Sequence, residues 1–241
     1  MQGTSFEFKN RAFIIGAVFF AGFACNAIDR VIVVNVLANA MTRAGISDVA
    51  AEHLVLGVAA AIIFLAFLVR AWATSYLKPG TVYAGVTHSE RLVTDGPYRF
   101  VRNPLYFGNI LFGLGMTVIA SRLGAVVFVL GMILVVYRLA AYEEAQFAPN
   151  LGEQYAAFLA RVPMLFPALT PRIAPSGFTP DWMKGLLAES AFFGIACGMT
   201  VFAVTLKPRL LFISCALLVP FFLMMAVLAS RKRGNVHEKA Q

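Results

Sequence analysis

The chain has 241 residues, of which 60% are hydrophobic and 13% charged, where a soluble domain carries about 25% charged residues. That balance excludes an ordinary water-soluble globular protein. The net charge of +8 requires no nucleic-acid partner, because basic residues gathered on one membrane face and drawn to anionic head groups account for it.

A membrane-spanning helix needs roughly 20 mostly apolar residues. Six stretches qualify: 12–38, 54–73, 104–120, 123–141, 185–206 and 210–229. The expected fold is therefore an all-α, polytopic membrane helical bundle of about six transmembrane helices, with no Rossmann domain. Asp29 and Arg30 interrupt the first stretch, which is read as ending at Asp29 or continuing as an interfacial segment. No removable signal peptide is marked off, so the first helix is expected to stay. Asp29 and Arg30 are the only candidates for midspan charge, the alternative for them being the outer interface.

Lysine and arginine sort the two sides of the bundle. Lys9, Arg11, Arg70, Lys78, Arg91, Arg99, Arg102, Arg161, Arg172, Lys184, Arg231, Lys232, Arg233 and Lys239 fall on the side of the termini, against Arg43, Arg122, Lys207 and Arg209 on the other. The positive-inside rule then places both termini and both long loops in the cytoplasm, as in a multi-pass protein of a bacterial-type inner membrane. Three regions are expected: N-terminal helices over 1–77, a core over 78–167, and a C-terminal hairpin with a basic tail over 168–241.

The polar chemistry is concentrated in 74–103 and 142–184. A very short link at Ser121 and Arg122 forces the third and fourth helices into an antiparallel hairpin. Arg102–Tyr106 should then lie beside Glu143 and Glu144. Asp95-Gly96-Pro97 is expected to form a tight turn, and Pro104 suits a first helical turn, where its missing N–H costs nothing. If the third helix begins early enough, Arg99 and Arg102 share a face, and the helix start offers N–H groups to an anion. Gly194 and Gly198 form a small-residue face for close helix contact, and Pro220 is a candidate kink in the last span.

Other chemistries find no support. Cys25, Cys197 and Cys215 lack the spacing of a zinc site, redox pair or disulfide framework. His53, His88 and His237 lack metal-ligand spacing, so no metal is expected, and His88 is read as a surface residue. A transporter or structural subunit is the reading from another class, but a transporter places polar or broken-helix features near the midplane, whereas the polar motifs here cluster at one face.

The string Leu92-Val93-Thr94-Asp95-Gly96-Pro97-Tyr98-Arg99-Phe100-Val101-Arg102-Asn103-Pro104-Leu105-Tyr106-Phe107-Gly108 is followed by Glu143-Glu144, Gly152-Glu153-Gln154-Tyr155 and Arg161-Val162-Pro163. Over about 78–167 this order resembles the membrane methyltransferase superfamily of isoprenylcysteine carboxyl methyltransferases and phospholipid N-methyltransferases. The resemblance implies S-adenosyl-L-methionine bound at the cytoplasmic surface by Leu92, Val93, Tyr98, Asn103, Pro104, Tyr106 and Glu144, and the charge of Arg102 adds a partner for the cofactor carboxylate. The candidate catalytic residues are Arg138, the nearest match to the substrate-contacting arginine of carboxyl methyltransferases, and Glu143 or Tyr106, either of which could take the proton an ammonium acceptor must lose. The implied acceptor is a lipidic or lipidated amphiphile, read first as isoprenylcysteine-like and alternatively as a phospholipid amine. Glu90 stands where isoprenylcysteine enzymes carry histidine. Such an acceptor is expected to enter sideways through an apolar opening ending near Arg138, Tyr106 and Glu143.

Overall fold

The computed structural model describes residues 3–77 and 92–218, together with 220, 221, 224 and 227. His88, Glu90 and the basic run 231–233 lie outside the described residues. Among the described residues the regular structure is all helical, with one isolated bridge between Ile32 and Ser121.

The chain opens with a short helix α1 (Ser5–Lys9), whose start is closed reciprocally by Thr4 and Glu7: the Glu7 N–H donates to the Thr4 hydroxyl and the Thr4 N–H to the Glu7 carboxylate. Helix α2 (Arg11–Ala24) runs on through a 3₁₀ turn to Ala27. The turn that follows carries Asp29 rather than a midspan charge. Its carboxylate accepts from Arg122 and from the N–H groups of Val31 and Leu123. Hydrogen bonding from Arg122, foremost among these contacts, holds the Asp29 carboxyl down at about 2. Residues 33–38 begin a separate helix α3 (Val33–Arg43), so of the two readings of the first stretch it is the one that stops at Asp29 that the structure follows.

Helix α4 (Asp48–Ser75) is capped by Ser47 and is the central element of the bundle. Helix α5 (Pro104–Met116) begins with Pro104 in its first turn, as expected, and lies against α4. Their approach is close because Gly115 has no side chain: a Cβ there would sit 2.4 Å from Ile63 and 3.1 Å from the Ala59 carbonyl. Helix α6 (Arg122–Arg161) starts at a Ser121 cap and packs on both α5 and α2. It extends well past residue 141 and breaks at Gly152, where φ is +54°. Beyond the break, Tyr155, Phe158 and Val162 fold onto Leu92, Phe147 and Ile173.

The stretch 185–206 is not one straight helix. It comprises α7 (Trp182–Ala188) and α8 (Ser190–Thr205), bent by 65° at Glu189. A further helix, α9, covers Pro208–Leu218. At Gly198 the expected small-residue contact exists, for a Cβ there would meet Cys215 Sγ at 2.7 Å. Among the described residues two helices are long and apolar enough to cross a membrane, Asp48–Ser75 and Arg122–Pro149, or three when the bent α7–α8 pair counts as one span.

Candidate active site

The motif loop is shaped by Asp95-Gly96-Pro97. Gly96 takes a φ of +55° and starts a 3₁₀ turn over Gly96–Arg99, and a Cβ at Gly96 would lie 2.3 Å from the Tyr76 ring. Only glycine meets both the left-handed backbone and that close approach. The following turn places Tyr98 against the protein interior. Burial, augmented by the charges of Glu143 and Glu189, pushes its phenol well above the ordinary value, so it remains neutral.

Arg102 and Asn103 precede the first turn of α5, and Tyr106 lies within it. Across from them α6 presents its two adjacent glutamates. Asn103 donates to Glu144 Oε1 at 2.9 Å, and Arg102 Nη1 lies 3.3 Å from Glu144 Oε2. The Tyr106 hydroxyl donates to Glu143 Oε1 at 2.9 Å, with the tyrosine only 7% exposed. The α5–α6 hairpin therefore juxtaposes Arg102–Tyr106 with Glu143 and Glu144, as the short link at Ser121 predicts. Arg102 Nε is buried and has no hydrogen-bond partner among the described residues. A buried donor left in this state is costly, and it supplies a free N–H to an anionic group.

Arg99 does not share a helical face with Arg102, because α5 begins only at Pro104. Its Nε instead donates to the Ile173 carbonyl. This contact belongs to a strap, residues 162–181, that runs over the motif loop. The Arg102 N–H donates to the Pro163 carbonyl, the Ala168 N–H to Phe100, and the Arg172 N–H to Arg99. Asn103 also donates to the Met164 carbonyl. Farther along, the Asp95 carboxylate accepts from the Ser176 hydroxyl and from the N–H groups of Gly177 and Phe178. Leu92 packs on the folded-back end of α6, Val93 is half-buried beside it in sequence and Pro104 is fully buried.

Arg138 lies on α6 before the glutamate pair and has a partner that the sequence reading missed. Its Nε and Nη2 donate to the two oxygens of Glu7 at 3.1 and 3.0 Å, and its carbonyl accepts from the Gly3 N–H. Phe8 stacks near Tyr142 with ring centroids 5.5 Å apart. The N-terminal segment thus covers this side of α6. An apolar cavity of about 160 Å³ opens elsewhere, lined by Val69, Trp72, Pro97, Phe100, Val101, Phe107 and Pro167. None of Arg138, Tyr106 or Glu143 lines it.

A second polar cluster also went unread. Arg70 and Glu189, each inside a stretch assigned to a span, form a buried ion pair at 2.7 Å with side chains 8% and 0% exposed. The only available signal was one opposite charge inside each of two apolar stretches. Pairing them requires knowing that α4 and α8 touch. Among the described residues no group of three or more histidine, cysteine, aspartate or glutamate side chains is placed to hold a metal ion.

These contacts, a turn-forming Gly-Pro-Tyr loop and an asparagine–tyrosine pair held by two helical glutamates, coincide with a family match. Residues 54–154 match the phospholipid methyltransferase family, consistent with the membrane methyltransferase superfamily whose motifs the sequence carries. Among curated proteins, the cobalt-zinc-cadmium resistance protein CzcN of Cupriavidus metallidurans is 28% identical over 106 residues, covering 44% of this chain and 46% of that protein. The similarity thus spans less than half the length of that relative. No solved structure matches.

Proposed function

We propose that the protein is an integral membrane, S-adenosylmethionine-dependent methyltransferase acting on a lipidic acceptor. The observation that carries this reading is the pairing of Arg102 and Asn103 with Glu144, and of Tyr106 with Glu143, inside the stretch that matches the phospholipid methyltransferase family. The chemistry of the donor set fits the cofactor. The unpartnered Arg102 Nε suits its carboxylate, Glu144 its ammonium or ribose hydroxyls, and the Tyr98 ring its sulfonium or adenine face. Leu92, Val93 and Pro104 supply apolar walls. When bound, the cofactor supplies an already activated methyl group, leaving the chain to align the acceptor and exclude water.

The polar face of the site belongs to a core over 78–167, between N-terminal helices (1–77) and a C-terminal region (168–241). Six passes through the bilayer, with both termini and the site in the cytoplasm, agree with the excess of lysine and arginine on the side of the motif loop. Glu143 and Tyr106 flank the reacting centre. The family match favours an amine head group such as that of phosphatidylethanolamine. The prenyl-cysteine carboxylate reading assigns the acceptor to Arg138, whose fork is held by Glu7, so such a carboxylate would have to displace Glu7. Methyl transfer assayed on both lipids separates the two readings.

The direct test is calorimetric binding of S-adenosylhomocysteine to the purified protein. Micromolar affinity, about −8 kcal/mol, is expected. Glu144→Gln should weaken it by about 1.5–3 kcal/mol, the range for a hydrogen bond to a charged group. No binding by the folded protein would overturn the assignment, and unchanged affinity in the variant would remove Glu144 from the site.

A further inference from the structure

Ionisable groups inside a membrane bundle are expensive, and where they persist they act. Arg70 on α4 and Glu189 at the α7–α8 break are buried together, and their side-chain contacts join the C-terminal helices to α5, which carries Tyr106. Arg70 Nε donates to Glu189 Oε2 at 2.7 Å, and the Thr74 hydroxyl donates to Glu189 Oε1 at 2.8 Å. The other arm of the guanidinium turns toward α5. There Nη1 donates to Asn109 Oδ1 at 2.7 Å and to the Leu105 carbonyl at 3.1 Å. The Phe192 ring closes the remaining face, 4.2 Å from Arg70 Cζ.

Leu105 and Asn109 bracket Tyr106 on α5, and Asn103 caps that helix without a side-chain bond to it. From the planar fork of Arg70, we infer that Arg70 and Glu189 are positioning residues that fix the first turn of α5, and with it Asn103 and Tyr106, for cofactor binding. The inference rests on the methyltransferase reading and extends it, because Glu189 comes from outside the matched residues 54–154. The bent C-terminal helix pair is thereby part of the functional unit: it carries the anion that lets a guanidinium stand buried beside α5. Lysine cannot substitute, since one ammonium lacks the fork that reaches a carboxylate, an amide and a carbonyl at once.

The test separates holding the helices together from aiming α5. In the full-length protein, Arg70→Met/Glu189→Leu removes both charges together, and replacing a buried pair by apolar side chains generally preserves folding. The expected result is a Tm close to that of the unsubstituted protein, with S-adenosylhomocysteine binding weakened about tenfold and faster amide exchange across 103–109. Arg70→Lys should lose affinity to a similar degree. If the double variant does not fold, Asn109→Leu, with both charges intact, carries the same expectation of weakened binding. Affinity within twofold of the unsubstituted protein in the folded variant would overturn the inference and leave the proposed function standing. Absence of binding by the unsubstituted protein would overturn the proposed function and this inference with it.

Discussion

Asp95 shows how a single side chain holds the motif loop in place. Burial works to raise its pKa, but the Ser176 hydroxyl and the N–H groups of Phe178 and Gly177 outweigh it and hold the carboxyl below its usual range. A folded-state pKa below the unfolded one means that the stabilisation is present above the unfolded value, about 3.9, and is lost as pH falls through the folded value. Asp95→Asn should therefore destabilise the protein at pH 6, by about 1.5 kcal/mol for lost bonds to a charged group. The difference from the unsubstituted protein should shrink as the pH drops below about 4, and thermal unfolding across pH 3–6 checks it. A constant difference would mean that the carboxylate charge contributes nothing. At this scale the sequence disclosed residues whose partners lie across one short hairpin, such as Asn103, Tyr106 and the two glutamates. It did not disclose Asp95 with Ser176, Arg138 with Glu7 or Arg70 with Glu189, because each pair lies between 81 and 131 residues apart and no local pattern links its members.

At the scale of elements, apolar periodicity located the helices, and breakers within them decided where they bend. Glycine at α5 positions facing α4 sets the distance between those two helices, which van der Waals packing rather than hydrophobic exclusion must hold together inside a bilayer. Gly115→Ala would place a methyl group 2.4 Å from Ile63. The overpacking is expected to destabilise the bundle by about 1–3 kcal/mol. Because Gly115 lies two turns and more beyond Tyr106, cofactor affinity should be unchanged; paired measurements of unfolding and S-adenosylhomocysteine binding test both halves. The bends at Gly152 and Glu189 escaped the sequence reading for different reasons. Gly152 lies in a polar stretch read as a loop, although the helix continues on both sides of it. Glu189 was absorbed into an apolar run whose hydropathy hides a single charge, and its cost is met by Arg70 from a helix well over 100 residues earlier.

For the whole molecule, topology and substrate access are linked. The motif loop, the strap, α1 and the C-terminal end of α4 gather at one end of the bundle, and Asp29, Arg122 and the Ile32–Ser121 bridge at the other. With Cys25, Cys197 and Cys215 removed, a membrane-impermeant thiol reagent in intact cells should label Gly45→Cys and miss Thr170→Cys; the reverse pattern would put the site on the outer face. A cytoplasmic site receives its water-soluble donor through the polar loops, whereas an amphiphile dissolved in the bilayer arrives from the side. The apolar cavity between α4, α5 and the strap, bordered by Trp72, Phe100 and Phe107, meets the motif loop at Pro97, next to Tyr98. An aliphatic chain lying there would meet only apolar side chains, although neither Tyr106 nor Glu143 borders the cavity. Each methylene kept from water is worth about 0.8 kcal/mol, so apparent affinity should rise roughly fourfold per methylene until the cavity is filled. Methyl transfer measured over a homologous series of acyl or prenyl chain lengths should show that rise and then a plateau. Trp72→Arg, which places a charge in the lining, should flatten the dependence while leaving S-adenosylhomocysteine binding within a few fold. Turnover of small soluble acceptors at rates indifferent to chain length would show that substrate reaches the site through water, and that the cavity serves packing alone.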